Sequence, residues 1–292
     1  MKTFSEYNPI VITVYMLLVT GIVMFSSNPI LLLISLLGAL LFFFIKNGSR
    51  GSRSHLAFFV LFFIIVLINP LVSHNGVTVL FVLNDAPITA EAILYGIASG
   101  CMVIAVLYWF RLFTEIMTSE KLLYLLGRLS PRLALILSMG LRYVPLFGRQ
   151  AKKINQTQTA LGFYKDDNFI DRAKGGLRVF SVMVTWALEN GIVTADSMAA
   201  RGYGIGKRSQ FSLFRFRKSD AFLLCFILLL GAMCIVSIAF GSLDFAFYPS
   251  VKWTTLTPMA IMGYLSYGVL VLLPTILEAE EIIKWKYLKS KI

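Results

Sequence analysis

The sequence predicts an all-α membrane protein with about six transmembrane helices plus a cytoplasmic coupling domain built on two long crossing helices. Three observations carry this. Of the 292 residues 58% are hydrophobic and only 14% are charged, whereas an ordinary soluble domain carries nearly twice that share of charge. Six apolar runs come close to the ~20 residues needed to cross hydrocarbon. One long segment between the fourth and fifth runs is basic and mixed in polarity, with no run of that length. A net charge of +12 would suggest nucleic acid in a polar chain; here it is read along a membrane, and no nucleic-acid partner is expected.

The six runs are residues 10–25, 29–45, 56–70, 92–112, 221–241 and 259–277. The first follows Lys2 and mimics a signal peptide, but Ser26-Ser27-Asn28-Pro29 is not a small-residue cleavage site and a second apolar run follows at once. Basic side chains give the orientation. Lys46, Arg50 and Arg53 lie in the second connection, eighteen Lys and Arg lie in residues 111–218, and Lys284, Lys286, Lys289 and Lys291 lie in the tail. The connection from Asn69 to Glu91 has none, and that from 242 to 258 has Lys252 alone. With both termini cytoplasmic, 26 of the 27 basic residues fall inside, as the positive-inside rule requires. The expected domains are an N-terminal membrane region of four spans (1–112), a cytoplasmic coupling-helix domain (113–218), and a C-terminal membrane region of two spans with its basic tail (219–292).

Within the cytoplasmic segment, Leu133–Phe147 and Leu177–Leu188 would make eight spans. Each is short and interrupted or flanked by Arg142, Arg178 or Glu189, which favours interfacial or protein-packed helices. Ser130-Pro131 is a helix start, and the pattern after it runs without a stop to Gly162, with a kink expected at Pro145. After the linker Lys165-Asp166-Asp167-Asn168, a second helix starts near Asp167 or Asp171 and runs to Gly202; Gly175-Gly176 would let another helix cross it closely. The two rods end alike, on Ala160-Leu161-Gly162-Phe163-Tyr164 and on Ala200-Arg201-Gly202-Tyr203-Gly204. Glycine past a last turn is ordinary capping. A thin tip of small residues, with Ala195, Ala199 and Ala200 presenting one arginine, also suits insertion into a cleft of another protein.

The stretches Asn69-Pro70-Leu71, Gly76-Val77-Thr78-Val79-Leu80-Phe81, Ile88-Thr89-Ala90-Glu91-Ala92-Ile93-Leu94-Tyr95-Gly96, Leu141-Arg142-Tyr143-Val144-Pro145-Leu146 and Ser197-Met198-Ala199-Ala200-Arg201-Gly202-Tyr203-Gly204 carry a resemblance. Over roughly residues 55–280 the chain resembles the transmembrane T component of energy-coupling factor transporters, the vitamin and metal importers of prokaryotes. The resemblance implies a multi-pass subunit of the prokaryotic cell membrane, without catalysis or cofactor of its own. Its implied partners are membrane lipid, two ABC-type ATPase subunits and a small hydrophobic substrate-binding S component. It also implies two crossing coupling helices, each ending in an Ala-Arg-Gly type motif that docks in a groove of an ATPase. The docking residues would then be Ala200, Arg201 and Gly202 at the second tip and Ala160, Leu161 and Gly162 at the first. Leu161 departs from the usual arginine. Leucine offers apolar contact where arginine offers a charged fork, which fits two unlike ATPases better than two identical ones.

Other chemistry is set aside. Gly202–Ser209 has Arg201 and Arg208 where a Walker loop needs glycine and Ser or Thr, so ATP hydrolysis must come from a partner. Cys101, Cys225 and Cys234 lie in apolar runs, and His55 and His74 are too few for a metal cluster and lack a nucleophile motif. The spans are almost free of ionisable residues, which argues against an ion path; Glu91 and Glu115 sit at span edges as interfacial side chains. Phe42, Phe43, Phe44, Phe58, Phe59, Phe62 and Phe63 read as lipid-facing bulk. Two further readings stay open: an ordinary importer permease with its own translocation path, and a membrane protein whose cytoplasmic segment binds a regulator.

Overall fold

Asn8-Pro9, Asn28-Pro29 and Thr257-Pro258 each start a helix in the computed structural model, which describes residues 3–48, 52–73, 75–83, 86–163, 169–206, 214–251, 253 and 255–290. In each pair the polar side chain accepts a backbone N–H of the first turn, from Ile10 (3.1 Å), Ile30 (3.0 Å) or Ala260 (3.2 Å). Proline takes the next position, where its missing donor costs nothing. Asn69-Pro70 looks the same in sequence but lies inside a helix, its amide donating across to Ser99 Oγ at 3.1 Å.

The elements are a 3-10 turn (Phe4–Glu6), α1 (Pro9–Phe25), α2 (Pro29–Asn47), α3 (Ser52–Val72), β1 (Val79–Leu83), β2 (Ala86–Thr89), α4 (Ala90–Ile116), α5 (Ser119–Leu129), α6 (Pro131–Ala160), α7 (Phe169–Ala200), α8 (Lys218–Ala239) and α9 (Pro258–Lys289). They divide into two compact units, Met1–Leu122 with Phe214–Ile292, and Leu123–Leu213. Among the described residues five helices, α2, α3, α4, α8 and α9, are long and apolar enough to cross a membrane, while α1 has 17 residues and is shorter. The sixth expected span is thus the short one, about 26 Å at helical rise and at the low end of the spanning range. Neither α6 nor α7 qualifies, so the two extra runs of an eight-span chain belong to longer helices.

The fold is mostly helical, as expected, with one short hairpin added. β1 and β2 form an antiparallel hairpin between α3 and α4, pairing Phe81 with Ile88, Val82 with Pro87 and Leu83 with Ala86. The run Val77-Thr78-Val79-Leu80-Phe81-Val82-Leu83 is rich in β-branched and aromatic residues and precedes Asn84-Asp85, a strand-and-turn signal that a search for spans passes over. Asn84, Asp85 and His74 lie outside the described residues.

The first unit is filled by aromatic side chains, with Phe4, Tyr15, Phe42, Phe43, Trp109 and Tyr267 all fully buried. Phe42 and Phe43 are therefore core, contrary to the lipid-facing reading, because α2 is enclosed by α1, α4 and α9. Phe44, Phe59 and Phe63 are exposed as expected. Two polar groups of these aromatic side chains are matched: Trp109 Nε1 donates to Ser35 Oγ at 3.0 Å, and Tyr15 OH donates to the Leu270 carbonyl at 3.2 Å. Leu270 lies four residues before Pro274, which has no N–H to offer it. Close helix approaches use glycine: a Cβ at Gly38 would meet Val271 at 1.9 Å, one at Gly100 would meet Phe62 at 2.9 Å, and one at Gly231 would meet Leu18 at 2.5 Å.

Polar ties gather at the two ends of this unit. At one end Ser27 Oγ donates to Phe245 O (3.3 Å), and Asn28 Nδ2 donates to Leu243 O (3.0 Å) and Tyr264 OH (2.6 Å). At the other, buried Lys121 donates to Ser5 O (2.6 Å) and Ile116 O (2.9 Å). Burial pushes the Lys121 ammonium pKa down, and Lys46 pushes it the same way. Burial raises the Tyr7 phenol, with Asp220 and Glu280 adding to the rise. The starts of α1 and α8 and the ends of α4 and α9 therefore share one end. Glu115, taken as interfacial, accepts from Asn47 Nδ2 at 2.8 and 3.0 Å and lies 3.5 Å from Arg111 Nε.

Candidate functional site

The second unit is built on α6 and α7, of 30 and 32 residues. α6 starts at Ser130-Pro131 and runs through Pro145 as one helix; α7 starts at Phe169, between the two expected starts. They pack through Tyr143 OH and Thr194 Oγ1, 3.0 Å apart, and through the Phe147 and Trp186 rings, 5.8 Å between centroids. As the chain advances along α6 its partners recede along α7, so the helices run in opposite senses at the contact. The glycine approach expected at Gly175-Gly176 is different in fact: Gly175 is buried, but a Cβ added to Gly176 would meet nothing within 4 Å. Aromatic and hydroxyl side chains make the observed contact instead.

Both rods end in the same hydrogen-bonded loop. At the first tip Gly162 N donates to Thr159 O (3.0 Å) and Phe163 N to Gln158 O (3.2 Å); at the second Gly202 N donates to Ala199 O (3.0 Å) and Tyr203 N to Met198 O (3.0 Å). These are paired Schellman bonds, from the first and second residues beyond the cap back to the last turn. They require the left-handed region at the glycines, and Gly162 and Gly202 have φ of +72° and +77°. The motif fixes Leu161 and Arg201 at equivalent cap positions, one residue before the glycine. Both are exposed, Leu161 at 67%, as are Ala160, Ala200, Ala195 and Ala199. Gly162 is exposed and Gly202 half-buried.

The tips differ in charge. A helix C-terminus carries a partial negative charge, which Arg201 at the cap complements directly. Leu161 cannot, but the Arg178 guanidinium lies 4.5 Å from the centre of the Phe163 ring, a cation–π distance. Arg178 is thus a basic residue at the first tip that motif reading missed, because it comes from the other rod. Tyr164, the linker Lys165–Asn168 and the stretch Lys207–Ser209 lie outside the described residues. No group of three or more His, Cys, Asp or Glu suited to a metal occurs among the described residues.

The model of a protein family described as cobalt transport protein, CbiQ, matches residues 4–213, a span that begins at the 3-10 turn and includes both tips. The chain is similar to energy-coupling factor transporter transmembrane proteins EcfT from two bacteria. With that of Lactobacillus helveticus it is 32% identical over 106 residues, 35% of this chain and 38% of the relative. With that of Listeria innocua it is 33% identical over 103 residues, 35% of this chain and 39% of the relative. The similarity covers well under half the length of these relatives, whereas the family model covers most of this chain from α1 through α7. Together with its row of apolar helices, that match makes this a multi-pass membrane protein belonging to the CbiQ family.

Proposed function

We propose that this chain is the transmembrane coupling subunit of an energy-coupling factor importer, a non-catalytic scaffold of the prokaryotic cell membrane. The observation that carries the reading is the pair of helix ends with the same hydrogen-bonded geometry, each holding one outward side chain at the cap. Ala200, Arg201 and Gly202 dock in one ATPase subunit, and Ala160, Leu161 and Gly162 dock in a second, non-identical one. When the ATP-bound pair closes, the tips move with it. A Schellman loop ties each tip to the last turn of its rod, so displacement travels along α6 and α7 and is not lost in a flexible end. A separate substrate-binding membrane subunit then reorients, releasing a vitamin or metal ion inside.

The first unit supports this over a permease with its own path. Its interior is filled by aromatic rings packed edge-on or tilted, with the Tyr15 hydroxyl and the Trp109 indole bonded internally, a filling that disfavours a path for a polar solute. Affinity purification of the chain from native membranes, with identification of copurifying proteins, tests the proposal. Two ABC-type ATPases and one or more small hydrophobic membrane proteins are expected. Recovery of the chain alone, or with a soluble regulator only, would overturn it.

A further inference from the structure

We propose that the β1–β2 hairpin is a lipid-contacting element seated in the headgroup–acyl boundary of the membrane leaflet at its end of the helical unit. Successive strand residues point to opposite faces, yet Val79, Leu80, Phe81 and Val82 are all more than half exposed. A hairpin in water hides one face and makes the other polar, and one docked on protein hides at least one face. Here β1 shows apolar side chains on both of its faces, while β2 buries Ile88 and so anchors the hairpin to the helical unit. It continues the bare apolar surface of α3, where Leu67, Ile68, Leu71 and Val72 are exposed. From Asn75 to Ala90 the chain's only charged side chain is Asp85.

The hairpin's base meets its polar needs internally. Buried Glu91 accepts from the Thr78 amide at 3.3 Å and from the Thr78 hydroxyl, and Thr89 Oγ1 donates to Asn75 O at 2.7 Å. Gly76, at φ +136°, leaves no room for a side chain: a Cβ would sit 2.7 Å from Glu91 Oε2. A two-stranded sheet has no further strand beside either of its edges. Open sheet edges do not occur in hydrocarbon, so the edge amides require water or headgroups while the side chains require acyl chains. Only the boundary meets both. An aromatic belt marks that level at the same end: Ser73 Oγ lies 3.4 Å from Tyr248 OH, Tyr95 packs on Phe247 and Tyr248, and Trp253 is 74% exposed.

The inference is independent of the coupling role. Full-length chain carrying Cys225→Ala, to remove the exposed native thiol, receives a spin label through Leu80→Cys or Phe81→Cys. It is reconstituted in vesicles of phosphatidylcholine and phosphatidylglycerol, and collision with oxygen and with a water-soluble nickel chelate is compared. Both labels should favour oxygen, at a depth shallower than a label at Phe63 on α3. A water-like response at either position, or shielding of either from both relaxants as by a protein partner, would overturn the proposal. The unsubstituted chain gives a second reading with diazirine-bearing phosphatidylcholine. Adducts should form on residues 77–82, and their absence while α3 is labelled would also overturn it.

Discussion

Arg201 and Leu161 occupy equivalent positions in the same loop motif, so differences between their variants report side-chain chemistry and not tip geometry. Removing one member of a buried charge pair costs about 2–5 kcal/mol, because its partner is left unpaired. Arg201→Ala should therefore weaken ATPase binding strongly, with the remaining affinity less sensitive to salt, while membrane insertion is unchanged; wild-type binding would remove Arg201 from the interface. Leu161→Ala should lose about 1.5–3 kcal/mol, the value of burying a leucine side chain, equally at low and high salt. Leu161→Asp should be worse, since it buries an unpaired charge. Any salt dependence at the first tip should instead follow Arg178→Ala, because that guanidinium sits over Phe163. Equal ATPase affinity for wild type and all three single-tip variants at both salt concentrations would show that the first tip contacts nothing. Gly202→Ala separates geometry from chemistry: at φ +77° a Cβ costs about 1–2 kcal/mol, so coupling should fall although Arg201 is retained.

At the scale of elements, the fold depends on how each helix meets its neighbours, and here sequence and structure divide. The start of α6 was legible because Ser130-Pro131 is a local signal, whereas Asn-Pro alone is not decisive, since Asn69-Pro70 lies inside α3; the tips were legible because Ala-x-Gly-aromatic recurs at two rod ends. Arg178 was not, since its partner Phe163 lies on the other rod, and neither was the burial of Phe42 and Phe43, since an apolar run reads the same whether lipid or protein surrounds it. The hairpin was hidden by its own apolarity. The Tyr15–Leu270 bond belongs with these pairings at a distance, and it can be tested by a double-mutant cycle. Tyr15→Phe leaves the Leu270 carbonyl without a donor in a dry core, at a cost of about 1–3 kcal/mol. Pro274→Ala supplies the N–H four residues on, so Tyr15→Phe should cost far less in that background. Additive losses in unfolding experiments would show that the tyrosine does not answer the proline. Glycine packing gives a parallel contrast. Gly100→Leu should cost about 1–3 kcal/mol by overpacking against Phe62, whereas Gly21→Leu, with nothing within 4 Å of its Cβ, should be close to neutral.

For the whole molecule, two independent observations bear on topology. The basic residues are grouped in alternate connections, and the polar ties bring the turn at Phe4–Glu6, the end of α4, the start of α8 and the end of α9 to one end of the first unit. Six apolar helices traversed in alternation would return the chain to its starting side, and on this ground we propose that α1 crosses despite its 17 residues. If it lay in the interface, the N-terminus and the connection between α1 and α2 would share a side. The ties from Asn28 to Leu243 and from Lys121 to Ser5 link these two points to opposite ends. With the charge bias facing the cytoplasm, a thiol-reactive reagent that cannot cross membranes should label Asn75→Cys in intact cells. It should miss Ile205→Cys until the cells are opened, even though Ile205 is 86% exposed. A thiol at Ser27, which lies between α1 and α2 and is joined to Phe245, should behave like that at Asn75. Labelling of Ile205→Cys from outside would invert the chain and put both tips beyond the reach of any cytoplasmic ATPase. Labelling of Asn75→Cys without Ser27→Cys would leave the chain upright but show that Ser27 is covered, because α2 and α3 together place it on the side of Asn75 whether or not α1 spans; α1 itself is read at Ser5→Cys, whose labelling in intact cells would show that it does not cross.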